Sequence, residues 1–151
     1  MNYIIDIFSN KILQIAIISW FIAQVIKVVL TLLKDRRLDF TRLFGSGGMP
    51  SSHASFTVSL ATAVGFYTRF TSVEFALAAA FAIVVMYDAT GVRRSAGEQA
   101  KILNKIVESM RHENFSETGE KLKELLGHTP VQVFAGAILG VVVAIIMYFY
   151  L

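Results

Sequence analysis

The 151-residue sequence contains no cysteine, so disulfides, haem thiolates and zinc thiolates are excluded and no redox signature of compartment exists. Charge is also scarce, at 17% of residues with a net charge of +3, too little to point to nucleic acid as a partner. There is no internal repeat, low-complexity tract or interdomain linker, so residues 1–151 read as one domain. No carboxylate cluster resembling a two-metal site is visible, and neither a metal nor a cofactor is expected.

Apolar residues dominate instead, at 55% of the chain with a positive mean hydropathy, above the norm for soluble proteins. Crossing about 30 Å of hydrocarbon takes roughly 20 apolar residues. Residues 12–33 and 131–151 supply such runs, while 54–70 and 73–89 are shorter and richer in small residues, as in spans packed mainly against protein. The expected fold is all-α, a polytopic membrane bundle of about four transmembrane helices. The first run is too long for a signal peptide and lacks a basic flank and a cleavage site, so it is expected to be retained. Four short spans are few to enclose a site, which makes a homo-oligomer a reasonable assembly.

Lysine and arginine are unevenly shared between the two ends of these spans. Segment 34–53 holds Lys34, Arg36, Arg37 and Arg42, and segment 90–128 holds Arg93, Arg94, Lys101, Lys105, Arg111, Lys121 and Lys123, against Lys11 and Arg69 at the opposite end. The positive-inside bias therefore places both segments in the cytoplasm of a multi-pass cell-membrane protein. Within 95–111, Ala100, Leu103, Ile106, Val107 and Met110 recur at helical spacing, which predicts an amphipathic helix. A second short helix is predicted over 116–126, and both are expected against the cytoplasmic ends of the spans or the headgroup layer.

Several polar residues are left unexplained by hydropathy. His53 and His128 each stand where a polar segment meets a span. A histidine there is commonly an interfacial or capping residue, and also a candidate acid, base or nucleophile. Before His53, Gly45, Gly47 and Gly48 can adopt positive φ, and Pro50, Ser51 and Ser52 look like a first helical turn. Amides and hydroxyls there suit an anion, or form an ordinary capped turn. Lys27 lies inside the first span on a stripe with Gln24, Thr31 and Lys34. It either faces protein as a functional cation or snorkels to the interface. Arg93 and Arg94 are topology anchors or a guanidinium fork for phosphate, and Asp88 beside them can orient a histidine. Gly136 and Gly140 suggest close helix packing. Together these residues make a cationic pocket with two histidines, suited to metal-free phosphoryl transfer.

The motifs "GSGGMPSSH" at 45–53, "YDATGVRR" at 87–94 and "LLGHTP" at 125–130 resemble the type 2 phosphatidic acid phosphatase superfamily, in particular its divergent bacterial and plastid branch. "PSSH" matches the superfamily's Pro-Ser-Gly-His motif, with Ser52 in place of glycine, and Lys27 and Lys34 have the spacing of its first motif. The resemblance implies a membrane enzyme that removes phosphate from a lipid phosphate through phosphohistidine. His128 would be the nucleophile and His53 the general acid, with Lys27, Ser51, Ser52 and one of Arg93 or Arg94 holding phosphate. Gln132 stands where the superfamily has the aspartate that orients the nucleophile, and Asp88 is the candidate substitute. Substrate classes implied are phosphatidylglycerophosphate, phosphatidate and polyprenyl phosphates. The rival readings are a non-catalytic lipid-phosphate-binding or scaffold protein and a small transporter component.

Overall fold

A computed structural model describes residues 3–35, 48–111 and 128–151. Every regular element among them is helical: α1 (Tyr3–Phe8), α2 (Lys11–Asp35), α3 (Ser52–Thr68), α4 (Val73–Thr90), α5 (Val92–Arg111) and α6 (Pro130–Tyr150). Three apolar helical runs are long enough to cross a membrane, namely Lys11–Leu33, Val73–Ser109 and Pro130–Tyr150. The protein is an all-α membrane protein. The fourth expected span, α3, has 17 residues, or about 25 Å of helix at ~1.5 Å per residue. It occupies the centre, packed against α2, α4 and α6.

The composition of α3 explains that seat. Its buried residues are Ser52, Ala54, Ser55, Thr57, Ser59, Ala61, Ala63 and Gly65, none larger than threonine. Small side chains distributed around a helix let neighbouring backbones approach from several directions. From α2 the facing stripe is Ile15, Ser19, Ala23 and Lys27 at four-residue steps, one side of a helix. Ser19 Oγ lies 2.7 Å from Ser55 Oγ, and each hydroxyl also reaches the other residue's carbonyl at 3.2 Å. Such interhelical hydrogen bonds contribute roughly 0.6 kcal/mol each in a bilayer.

Contacts along the helices fix their directions. Ser19 meets Ser55 while Lys27 meets Ser52, so α2 runs antiparallel to α3. Lys11 Nζ donates to the Leu151 carbonyl, which sets α2 antiparallel to α6 as well. α4 returns from α3 through a turn capped by Ser72. The C-terminal ends of α2 and α4 and the N-terminal ends of α3 and α6 therefore share one end of the bundle.

At Gly136 an added Cβ would collide with the Ser51 carbonyl oxygen, and at Gly140 it would come within 2.6 Å of the Ser55 oxygen and 2.9 Å of the Ser59 nitrogen. The two glycines let α6 lie backbone to backbone along α3, the close packing expected of them. The predicted amphipathic helix is present as α5, beginning at Val92 directly after the Gly91 cap of α4. Its Leu103, Ile106 and Val107 are exposed and not laid against the bundle. The second predicted helix, 116–126, lies outside the described residues. α1, not anticipated from hydropathy, is a short exposed helix ahead of α2.

Gly136→Val should lower stability by about 3 kcal/mol, the upper end of overpacking costs, because backbone and not a side chain must yield. Thermal unfolding of detergent-solubilised protein checks this, with Val142→Ala on the exposed face of α6 expected to melt near wild type.

Candidate active site

Lys27 is only 2% exposed, which decides against snorkelling. Its Nζ donates to Gln24 Oε1 at 2.9 Å and to Ser52 Oγ at 3.0 Å. Gln24 sits one turn earlier on the same face of α2, so the predicted stripe is real as far as Lys27. The side chain of Lys34 lies outside the described residues. Both acceptors of Lys27 among the described residues are neutral oxygens, which solvate an ammonium without cancelling its charge. Gly48, at φ +98°, brings its backbone over the lysine stem, its absent Cβ site 3.7 Å from Cγ and Cδ. Gly45 and Gly47 lie outside the described residues.

Helix α3 begins two residues later than the motif suggests. Ser51 is its N-cap, accepting from the Ala54 amide at 3.4 Å, and Ser52 is the first helical residue, so Pro50 precedes the helix. Ser51 and Ser52 are both buried. Ser51 is spent on the cap, whereas Ser52 turns its hydroxyl to Lys27. His53 follows, half-buried, with its Nδ1 shut off from solvent.

Two backbone hydrogen bonds bring His128 to this end. The Ser51 amide donates to the Gln132 carbonyl at 2.9 Å, and the His128 amide donates to the Ala89 carbonyl at 3.1 Å. His128 is 2% exposed, and its ring centroid is 6.3 Å from that of His53, with the planes at 60°. That spacing is beyond a direct ring-to-ring hydrogen bond and suits one tetrahedral group between them.

The orientation of His128 follows from a helix cap. Thr129 and Gln132 form a capping box at the start of α6, the reciprocal pairing of a threonine with a glutamine three residues on. The Thr129 amide, which can only donate, meets Gln132 Oε1 at 3.1 Å, and this fixes the amide as oxygen toward the backbone. His128 Nδ1 is 3.1 Å from the same oxygen. An amide oxygen only accepts, so Nδ1 carries the proton and the Nε2 of a neutral ring holds the lone pair. The signature Thr129-Pro-Val-Gln132 was legible as a cap, but its link to the imidazole depends on the three-dimensional turn.

Asp88 immediately precedes Ala89, whose carbonyl anchors His128, and is partly buried. Arg93 and Arg94 lie in the first turn of α5, and their side chains are outside the described residues. Among the described residues no group of three or more His, Cys, Asp or Glu could hold a metal ion. Gln24, which the sequence offers only as part of a stripe, is the residue at this end whose contribution was not anticipated.

A sequence model described as "Divergent PAP2 family" matches residues 8–143, a stretch that includes both histidines and Lys27. The chain belongs to the divergent PAP2 family. The match spans α2 through most of α6 and so covers the segments that build this end of the bundle. A similar protein is "Uncharacterized membrane protein YuiD" of Bacillus subtilis (strain 168), 38% identical over 157 residues that cover 97% of this chain and 99% of the relative. No solved structure matches.

For this divergent PAP2 protein, Gln132→Leu should release the His128 tautomer. Nitrogen-15 NMR of labelled histidine should show Nδ1 protonated in wild type and a mixture of tautomers in the variant. A wild-type ring protonated at Nε2 would contradict the cap geometry.

Proposed function

We propose that the protein is a lipid-phosphate phosphatase that works through a phosphohistidine. The reading is carried by one observation, two histidines with ring centroids 6.3 Å apart beside the buried Lys27–Ser52 pair, in a chain of the divergent PAP2 family. His128 Nε2, which carries the lone pair in this tautomer, attacks phosphorus. The ester P–O bond breaks, and His53 gives its proton to the departing lipid alkoxide. Water then attacks the phosphohistidine, His53 takes a proton from it, and inorganic phosphate leaves with His128 restored. Lys27, the Ser52 hydroxyl, the amides at the start of α3 and one of Arg93 or Arg94 stabilise the phosphoryl oxygens, where charge concentrates in the transition state.

The substrate class is a phosphomonoester or diphosphate of a membrane lipid, such as phosphatidylglycerophosphate, phosphatidate or a polyprenyl phosphate. The lysine and arginine bias of segments 34–53 and 90–128 supports a site facing the cytoplasmic leaflet of the cell membrane. Asp88 is assigned the electrostatic support of the His128 imidazolium that Gln132, as a neutral amide, does not supply. A second reading, a lipid-phosphate-binding protein without turnover, is favoured by that same neutrality of Gln132.

Phosphate release from a panel of lipid phosphates tests the two. Wild type should release phosphate, be inhibited by vanadate and be indifferent to chelators, and His128→Ala should lose at least about 10³-fold, as expected on removing a nucleophile. Tight lipid-phosphate binding with no release by wild type would establish the second reading. Full turnover by His128→Ala would remove the nucleophile assignment.

A further inference from the structure

Below His53 the protein carries a cleft of about 400 Å³ lined by Ile17 and Trp20 of α2, His53, Phe56 and Thr57 of α3, and Phe81 and Val85 of α4. It crosses α3 between α2 and α4. Apart from His53 and the Thr57 hydroxyl, the lining side chains are hydrocarbon or aromatic. The Thr57 hydroxyl is turned back to its own helix, donating to the His53 carbonyl at 2.9 Å. Ile17 and Phe81, each about half exposed (50% and 53%), stand at its rim, on helices that belong to membrane-crossing runs. The cleft therefore opens sideways, toward lipid and not toward water.

We infer that this cleft seats one hydrocarbon chain of the lipid phosphate whose headgroup occupies the His53–His128 site. The inference rests on the phosphate reading of that site and adds how the rest of the ligand lies. Three features select this occupant. The cleft adjoins the site, because His53 belongs to the lining of the one and to the histidine pair of the other. Its ends differ in chemistry: at the top lie His53 and, through the adjacent Ser52, the ammonium of Lys27, whose partners among the described residues are neutral, whereas Trp20 and Ile17 lie roughly 10 to 15 Å further down α2 at ~1.5 Å per residue. An amphiphile with an anionic head and an apolar tail matches that polarity. The size also discriminates, since at ~30 Å³ per water-sized group the cleft holds about a dozen chain carbons. That is one chain, not two, and too narrow a space for a helix some 10 Å across. A diacyl lipid would keep its second chain in the bilayer.

Trp20 is the only tryptophan in the protein, so its emission reports on the cleft directly. The detergent-solubilised full chain is titrated with dodecyl phosphate brominated along the chain, and in parallel with the equally brominated dodecyl alcohol. The phosphate should quench Trp20 at about tenfold lower concentration than the alcohol, equivalent to one decade in affinity. Val85→Phe, which narrows the cleft, and Ile17→Phe, at an exposed rim position that tolerates substitution, should each weaken quenching by the phosphate. Equal quenching by phosphate and alcohol, or quenching unchanged in both variants, would overturn the inference. Phosphate release is measured on the same samples. Quenching that obeys the pattern without any release would refute turnover while leaving the chain site in place, and release without selective quenching would do the reverse.

Discussion

At Gly136 and Gly140 there is no room for any side chain, because the Ser51 and Ser55 carbonyls already occupy the space a Cβ would take. This contact sets the separation of α3 and α6 from backbone atoms, which bend far less than side chains. The Ser51 amide to Gln132 carbonyl bond then fixes the register, and together they leave the two histidine rings facing each other across 6.3 Å. Neither histidine needs a long flexible arm to reach the other. The second amide bond, from His128 to Ala89, adds α4 to the same arrangement and carries Asp88 with it.

Burying Lys27 is the costly part of the fold. A cation in the apolar part of a span is unfavourable by at least a few kcal/mol, and here it is met by two oxygen dipoles, from Gln24 and Ser52. Those dipoles depend on α2 and α3 keeping register over two further turns, where the Ser19–Ser55 hydroxyl pair ties the helices. The polar residues of α2 and α3 are thus a single ladder: Ser19 aligns, Gln24 solvates, and Lys27 presents charge to the N-terminal turn of α3. A bound anion would complete the neutralisation that the dipoles only begin.

The membrane class, the close packing at Gly136 and Gly140 and the grouping of His53, His128 and Lys27 at one end were legible because each leaves a local signal: an apolar run, paired small residues, or a polar residue out of place. The seat of α3 was less legible. Its small residues announced protein contacts, but 73–89 carries the same signal, and it is α3 that takes the centre while α4 buries only Ala82 and Ala89. The start of α3 was misplaced by two residues because proline and serine are both common at helix beginnings, and only the cap bond separates Pro50 and Ser51 from the first turn. Gln132 reads as a lost aspartate when the residue is compared by type. Its service to His128 comes from an oxygen shared with a backbone amide, a geometric fact no spacing rule contains. The cleft under His53 was invisible for a similar reason, since its lining comes from three helices that meet only in the folded bundle.

In the phosphatase reading, the amide at 132 also shifts the balance between holding an anion and attacking it. An aspartate at this position would place a negative charge near the phosphate, and two unit charges about 6 Å apart in an effective dielectric near 20 repel by roughly 3 kcal/mol. Glutamine fixes the same tautomer without that repulsion, so a ground-state complex with phosphate would gain. The proposed transition state would gain less, because attack by His128 would build positive charge on the imidazole that a carboxylate at Nδ1 would have stabilised. Binding energy then has to be recovered from parts of the ligand remote from phosphorus. In the reading developed above, the cleft beneath His53 is where that remote energy is available, through orientation of one tethered chain. A lipid phosphate is favoured over free phosphate on this argument because only the lipid can use both ends of the site.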